Sequence, residues 1–152
     1  MHEIDFAFLA DAAETPPGQK FSVLGGGITR LGGAAFPLRH PHIALVMSLV
    51  VTAAEFDREH EIRFLLLDPD GNEVASAVSS LVASGNAEGR DTNLTFAVDL
   101  WNLAFNAPGD YSFRILVNGS ERKRLPLVVT RAEATGGPPT MPGPPGTGRY
   151  DA

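Results

Sequence analysis

The chain has 152 residues and no cysteine. That is length for one domain with its own core, and it excludes disulfide frameworks, thiolate metal sites and cysteine nucleophiles. Acids outnumber bases by 18 to 12, a formal charge of -6, the wrong sign for a surface that neutralises phosphates, so no nucleic-acid partner is expected.

The start, MHEIDFAFLADAAE, carries Glu3 and Asp5 where a secretory signal needs basic residues and a longer apolar run. The longest apolar run, at 43–51, is about half the ~20 residues a membrane helix needs. The expectation is a cytoplasmic protein with no membrane contact.

Short apolar runs separated by turn residues then follow one another, the pattern of an all-β domain. In IDFAFLADA, Ile4, Phe6, Phe8 and Ala10 fall on one face at period two, with Asp5 and Asp11 on the other. Pro16, Pro17 and Gly18 break this run before KFSVL. The segment 21–33, FSVLGGGITRLGG, holds five glycines in nine positions. A P-loop needs a lysine after the last glycine, where Ala34 stands, and a dinucleotide fingerprint needs glycine where Arg30 stands. Pro37 and Pro41 also break any following helix, so the glycines are read as a bulge or a strand-to-strand crossing. Thr29 and Arg30 are then candidates for a loop that touches a partner.

HPHIALVMSLVV is apolar on both faces and is predicted to be a central strand. EIRFLLLD ends at Asp68-Pro69-Asp70-Gly71, a turn in which proline and glycine each preset a backbone angle. Residues 73–82 form a weaker, small-residue segment, and NLTFAVDL alternates again through Leu94, Phe96, Val98 and Leu100. In the last hairpin Tyr111, Phe113, Ile115 and Val117 share a face, and Asn118-Gly119 is a type I′ turn dipeptide. Leu125, Leu127 and Val129 return beside them, and Pro126 marks an edge strand or a bulge. The expected fold is a two-sheet antiparallel β-sandwich of seven to nine strands, immunoglobulin-like in build. It occupies 1–131, and 132–152 is a proline- and glycine-rich tail without apolar residues enough to offset its ordering entropy.

Chemistry-bearing residues are sparse. Of the four histidines (His2, His40, His42 and His60), His40-Pro41-His42 is an H-x-H that on a regular strand points both rings to one side. With His60 or Asp68 it is the alternative reading, a metal or small-ligand site. The other reading places these rings at a strand entrance. There is no G-x-S-x-G, and Asp68-Pro69-Asp70-Gly71-Asn72-Glu73 lacks the spaced acids of an EF-hand. No cofactor and no enzymatic activity are expected. Trp101, the sole tryptophan, is either an exposed anchor for a partner or a packed corner between sheets. Arg122, Lys123 and Arg124 are a partner-binding candidate or charges that protect a strand edge. The tail carries a P-x-x-P match at Pro139 and Pro142, frequent by chance in such segments.

The stretches FAFLADAAE, PPGQKFSVLGGG, FPLRHPHIALV and LLLDPDG together resemble a family of small bacterial cytosolic proteins of uncharacterised function. PGDYSFRILVNG resembles the closing hairpin of many immunoglobulin-like modules. The resemblance covers residues 4 to 130 and implies a β-sandwich, with no established activity and no catalytic residues to carry over. The expectation is a non-enzymatic module that binds another protein or pairs with itself as a homodimer.

Overall fold

Nine strands form among the described residues. They are β1 (Glu3–Glu14), β2 (Ser22–Gly26), β3 (Arg30–Gly33), β4 (Leu38–Val51), β5 (Glu59–Leu67), β6 (Glu73–Val82), β7 (Thr92–Phe105), β8 (Gly109–Val117) and β9 (Ser120–Arg131). One 3-10 turn, Ala53–Glu55, follows β4. The structure is a computed structural model and describes residues 3–17 and 19–132. His2, Gly18, the P-x-x-P match and all of the expected tail except Ala132 lie outside the described residues. Among the described residues no helix is long and apolar enough to cross a membrane.

Four strands form a first sheet in the order β2-β1-β4-β7, and five form a second in the order β3-β9-β8-β5-β6. The first is antiparallel throughout. The second is mixed, because β3 runs parallel to β9, and this corrects the expectation of purely antiparallel sheets. The cause is the glycine segment. β2 pairs with β1 in the first sheet, and the chain then crosses to the open side of β9 without reversing.

Gly25 and Gly27 take φ of +61° and +86° in that crossing, angles that cost an L-residue about 1–2 kcal/mol. The amides of Gly27 and Ile28 both donate to the Leu9 carbonyl, at 2.8 and 3.0 Å. The glycines are therefore a crossing device.

The core lies between the sheets. Leu9, Ile43, Leu45, Met47 and Leu49 from the first meet Ile62, Phe64, Leu66, Phe113 and Ile115 from the second, all buried. Each such side chain contributes about 1.5–3 kcal/mol on leaving water.

β4 is central, as its two-faced apolarity predicts, but its outer face is covered in its own way. Ala44 and Val46 there are fully buried in a second cluster with Ala10, against which Phe6, Phe8, Val23 and Ala97 pack. Phe6 stacks on Phe8 at 5.9 Å and on Phe21, from the β1–β2 connection, at 5.7 Å.

That cluster corrects the expected face of β1. Ile4, Ala7 and Leu9 point to the main core, while Phe6, Phe8 and Ala10 point outward. The register of β1 on β4 shifts between Ile4 and Phe6, so a bulge takes up Asp5 and inverts every later side chain.

The turns follow their sequence signals. Asp68 Oδ1 accepts from the amides of Asp70 and Asn72 at 2.9 and 2.8 Å, and Gly71 takes φ +85°. Asn118 and Gly119 both have positive φ, as a type I′ turn requires. Pro126 is outside the β8–β9 bulge, which lies between Ile115 and Leu116. It stands on the stretch of β9 just before β3 pairs at Val128, an open edge where no N–H is needed.

Candidate functional site

Trp101 occupies the outer face of the first sheet, near one end of β7. The residue is 66% exposed, so the packed-corner reading does not hold. Cross-strand pairing sets it opposite His42, and the two rings lie 4.2 Å apart, tilted by 38°. His42 is held at both nitrogens: Nδ1 is 2.7 Å from the Asp11 carbonyl and Nε2 is 2.6 Å from Asp99 Oδ1. Both partner atoms are acceptor oxygens. Three strands thus converge on one exposed indole, with β1 supplying Asp11, β4 supplying His42, and β7 supplying Asp99 and Trp101.

The local backbone explains why Trp101 faces outward. Leu100 pairs with Ile43 and Phe105 with Leu38, both on the core side. Strict alternation would turn Leu103 outward, yet Leu103 is buried. Asn102, at φ +52°, absorbs the reversal. The same reversal separates the H-x-H histidines. His40 pairs with the buried Leu103 and His42 with the exposed Trp101, so their rings do not share a side, contrary to the regular-strand expectation.

His60 belongs to the other sheet and is 3% exposed. Its Nε2 is 2.9 Å from the Glu55 carbonyl and its Nδ1 3.3 Å from Asn118 Nδ2. Among the described residues no group of three or more His, Cys, Asp or Glu side chains is placed to hold a metal ion. His40, His42 and His60 are not brought together.

The remaining candidates lie on the second sheet. Thr29 is exposed, and its carbonyl accepts from the Val128 amide at 2.9 Å. Arg30 is exposed at the start of the edge strand β3. Arg122, Lys123 and Arg124 lie near the opposite end of β9, on the stretch that β3 does not cover. Arg124 Nε is 3.2 Å from Glu121 Oε1, which is also 3.6 Å from Arg114 Nε. Exposed pairs of this kind contribute little to stability, and charges on an open edge oppose unwanted pairing. None of these five residues joins Trp101.

Beyond Asp99 along β7 a groove of about 580 Å³ runs between β7 and β6. It is lined by residues 93–98 of β7, by Ser79, Leu81 and Val82 of β6, and by Thr15, Pro16, Pro17 and Gln19.

A family model matches residues 5–130. The chain belongs to DUF6941, a family of unknown function. No curated protein matches the sequence. Among solved structures this DUF6941 chain is similar to the Pseudomonas fluorescens alkylpurine DNA glycosylase AlkC bound to DNA containing an abasic site analog. That likeness has a TM-score of 0.48 at 16% identity and covers 86% of this chain. The chain spans 30% of that protein's length.

Neither Asp99 nor Asp11 is singled out by the sequence of this DUF6941 member. His42 is visible there only as half of an H-x-H, because its contact with Trp101 exists only through β4–β7 pairing.

Proposed function

We propose that this chain is a non-enzymatic protein-binding or assembly module that presents Trp101 on the outer face of its first sheet. The observation that carries the reading is a tryptophan 66% exposed yet held in place by a histidine tied at both nitrogens. Large aromatics with few rotamers are the usual anchors of interfaces, and one fixed in advance loses little entropy on binding. The same ties argue against catalysis by His42, since neither nitrogen is open to a substrate. The Asp99 carboxylate, 2.6 Å from the His42 ring, favours a partner surface with basic residues, whether on another protein or a second copy.

On this reading the fold is immunoglobulin-like in build. Two observations support it: β1-β4-β7 faces β9-β8-β5-β6, and the Tyr111 hydroxyl donates to the Ala107 carbonyl at 2.8 Å. A tyrosine bonded back to the chain just upstream marks the same corner in immunoglobulin domains.

The test is Trp101→Ala, followed by urea unfolding and by light scattering after size exclusion, alone and with any cross-linked partner. The variant is expected to unfold within about 0.5 kcal/mol of wild type, as exposed substitutions do, and to associate more weakly. A variant that fails to fold, or one that associates undiminished, overturns the reading.

A further inference from the structure

The groove beside β7 has a shape that identifies its ligand. Six consecutive residues of β7, 93–98, line it. Successive side chains on a strand point to opposite faces, so a groove touching all six in a row runs along the strand's edge, where the backbone is bare. Among the described residues β7 is the last strand of the first sheet and pairs with β4 alone. Pro16 and Pro17 also line the groove, and proline has no N–H to give to a ladder. At ~3.4 Å per residue the six residues span ~20 Å, the length of an ordinary strand.

The lining specifies the chemistry. No residue that lines the groove is charged, although charged residues make up 20% of the chain. The only charge on β6 is Glu73, at its far start, and the only one on β7 is Asp99. Edges are commonly blunted with lysine, inward-pointing charge or a proline in the strand, and β7 has none of these between 92 and 98. Leu94, Phe96 and Val98 pack against the main core and yet are only half-buried, so one side of each awaits cover.

We infer that β7 accepts an extended, uncharged segment of a partner protein as a fifth strand of the first sheet. The added backbone pairs with residues 93–98, and its alternate apolar side chains cover Leu94, Phe96 and Val98. Main-chain hydrogen bonds supply the affinity in strand addition, and the alternate side chains supply the selectivity. The inference rests on the reading of this chain as a protein-binding module and names the form of the partner's segment.

The experiment uses the full chain and a blocked peptide of alternating valine and threonine, with a proline-substituted peptide as control. Amide exchange is followed residue by residue by NMR. In a strand paired on one side, every second amide points outward. The peptide is expected to slow exchange of the alternate outward amides within 93–98 by about tenfold or more, and the control to leave them unchanged.

A Val82→Lys, Gln19→Lys variant puts two charges into the walls of the groove at exposed positions. It is expected to fold and to lose the protection. Exchange at 93–98 that does not respond to the peptide, or protection that persists in the charged variant, overturns the inference.

The two readings fail separately. Trp101→Ala leaves the peptide signature in place even if the indole binds nothing, and an unresponsive groove leaves the Trp101 association data standing.

Discussion

Trp101 shows how one residue's role is decided by its neighbours. An exposed tryptophan on a sheet face is free to swing, but here the imidazole of His42 lies against it at 4.2 Å, and Asp99 and the Asp11 carbonyl fix that imidazole. His42→Ala should therefore release the indole with little loss of fold. Because the Asp99 side chain is 52% exposed, water competes for its bond to His42, and the expected loss is about 1 kcal/mol, that of an ordinary hydrogen bond. Since this is the only tryptophan, fluorescence anisotropy reports its motion directly, and a clear fall in the variant is expected. Unchanged anisotropy would mean that something other than His42 holds the ring. His60 is the contrasting case. It is buried, and its bond to Asn118 ties β5 to the β8–β9 hairpin.

Among the elements, the crossing from β2 to β3 has the most specific demands. Gly25 and Gly27 share the left-handed conformation, but their surroundings differ. A Cβ on Gly27 would meet nothing within 4 Å, whereas one on Gly25 would run into the Asp11 carboxylate and stand 2.7 Å from its Cγ. Gly27→Ala should cost only the backbone term, about 1 kcal/mol, and Gly25→Ala about 2 kcal/mol or more, because Asp11 must also move. Urea unfolding of the two variants measures the difference. Equal losses would show that the Asp11 side chain yields freely. Asp11 also supplies the carbonyl that holds His42, so the crossing and the Trp101 site share a residue.

At the scale of the molecule, the two sides of the β-fold differ. On one side the glycine crossing and β3 bring the first sheet to the second. On the other, β7 and β6 are the last strands of their sheets among the described residues, and both line the groove. The pairings are long in sequence: β1 joins β4, β4 joins β7, and Arg30 of β3 meets Val128 of β9. Loop closure of that kind must precede its reward in contacts, so folding is expected in milliseconds to seconds. Stopped-flow circular dichroism measures this, and a microsecond phase carrying the full amplitude would contradict it.

Much of the β-fold was legible in the chain itself. Period-two alternation, the Asp68-Pro69-Asp70-Gly71 and Asn118-Gly119 turns and the doubly apolar β4 determine an all-β protein with strands close to where they lie, because these signals are local. The failed phosphate motifs likewise left the glycines a conformational task. Three things depended on tertiary structure. The bulge at Asp5 turned Phe6 and Phe8 outward, the left-handed Asn102 separated His40 from His42, and strand register set His42 beneath Trp101. Each is a matter of which face a side chain takes. A single extra or reversed residue inverts that choice for all that follow, and its energy comes from partners far away in the chain.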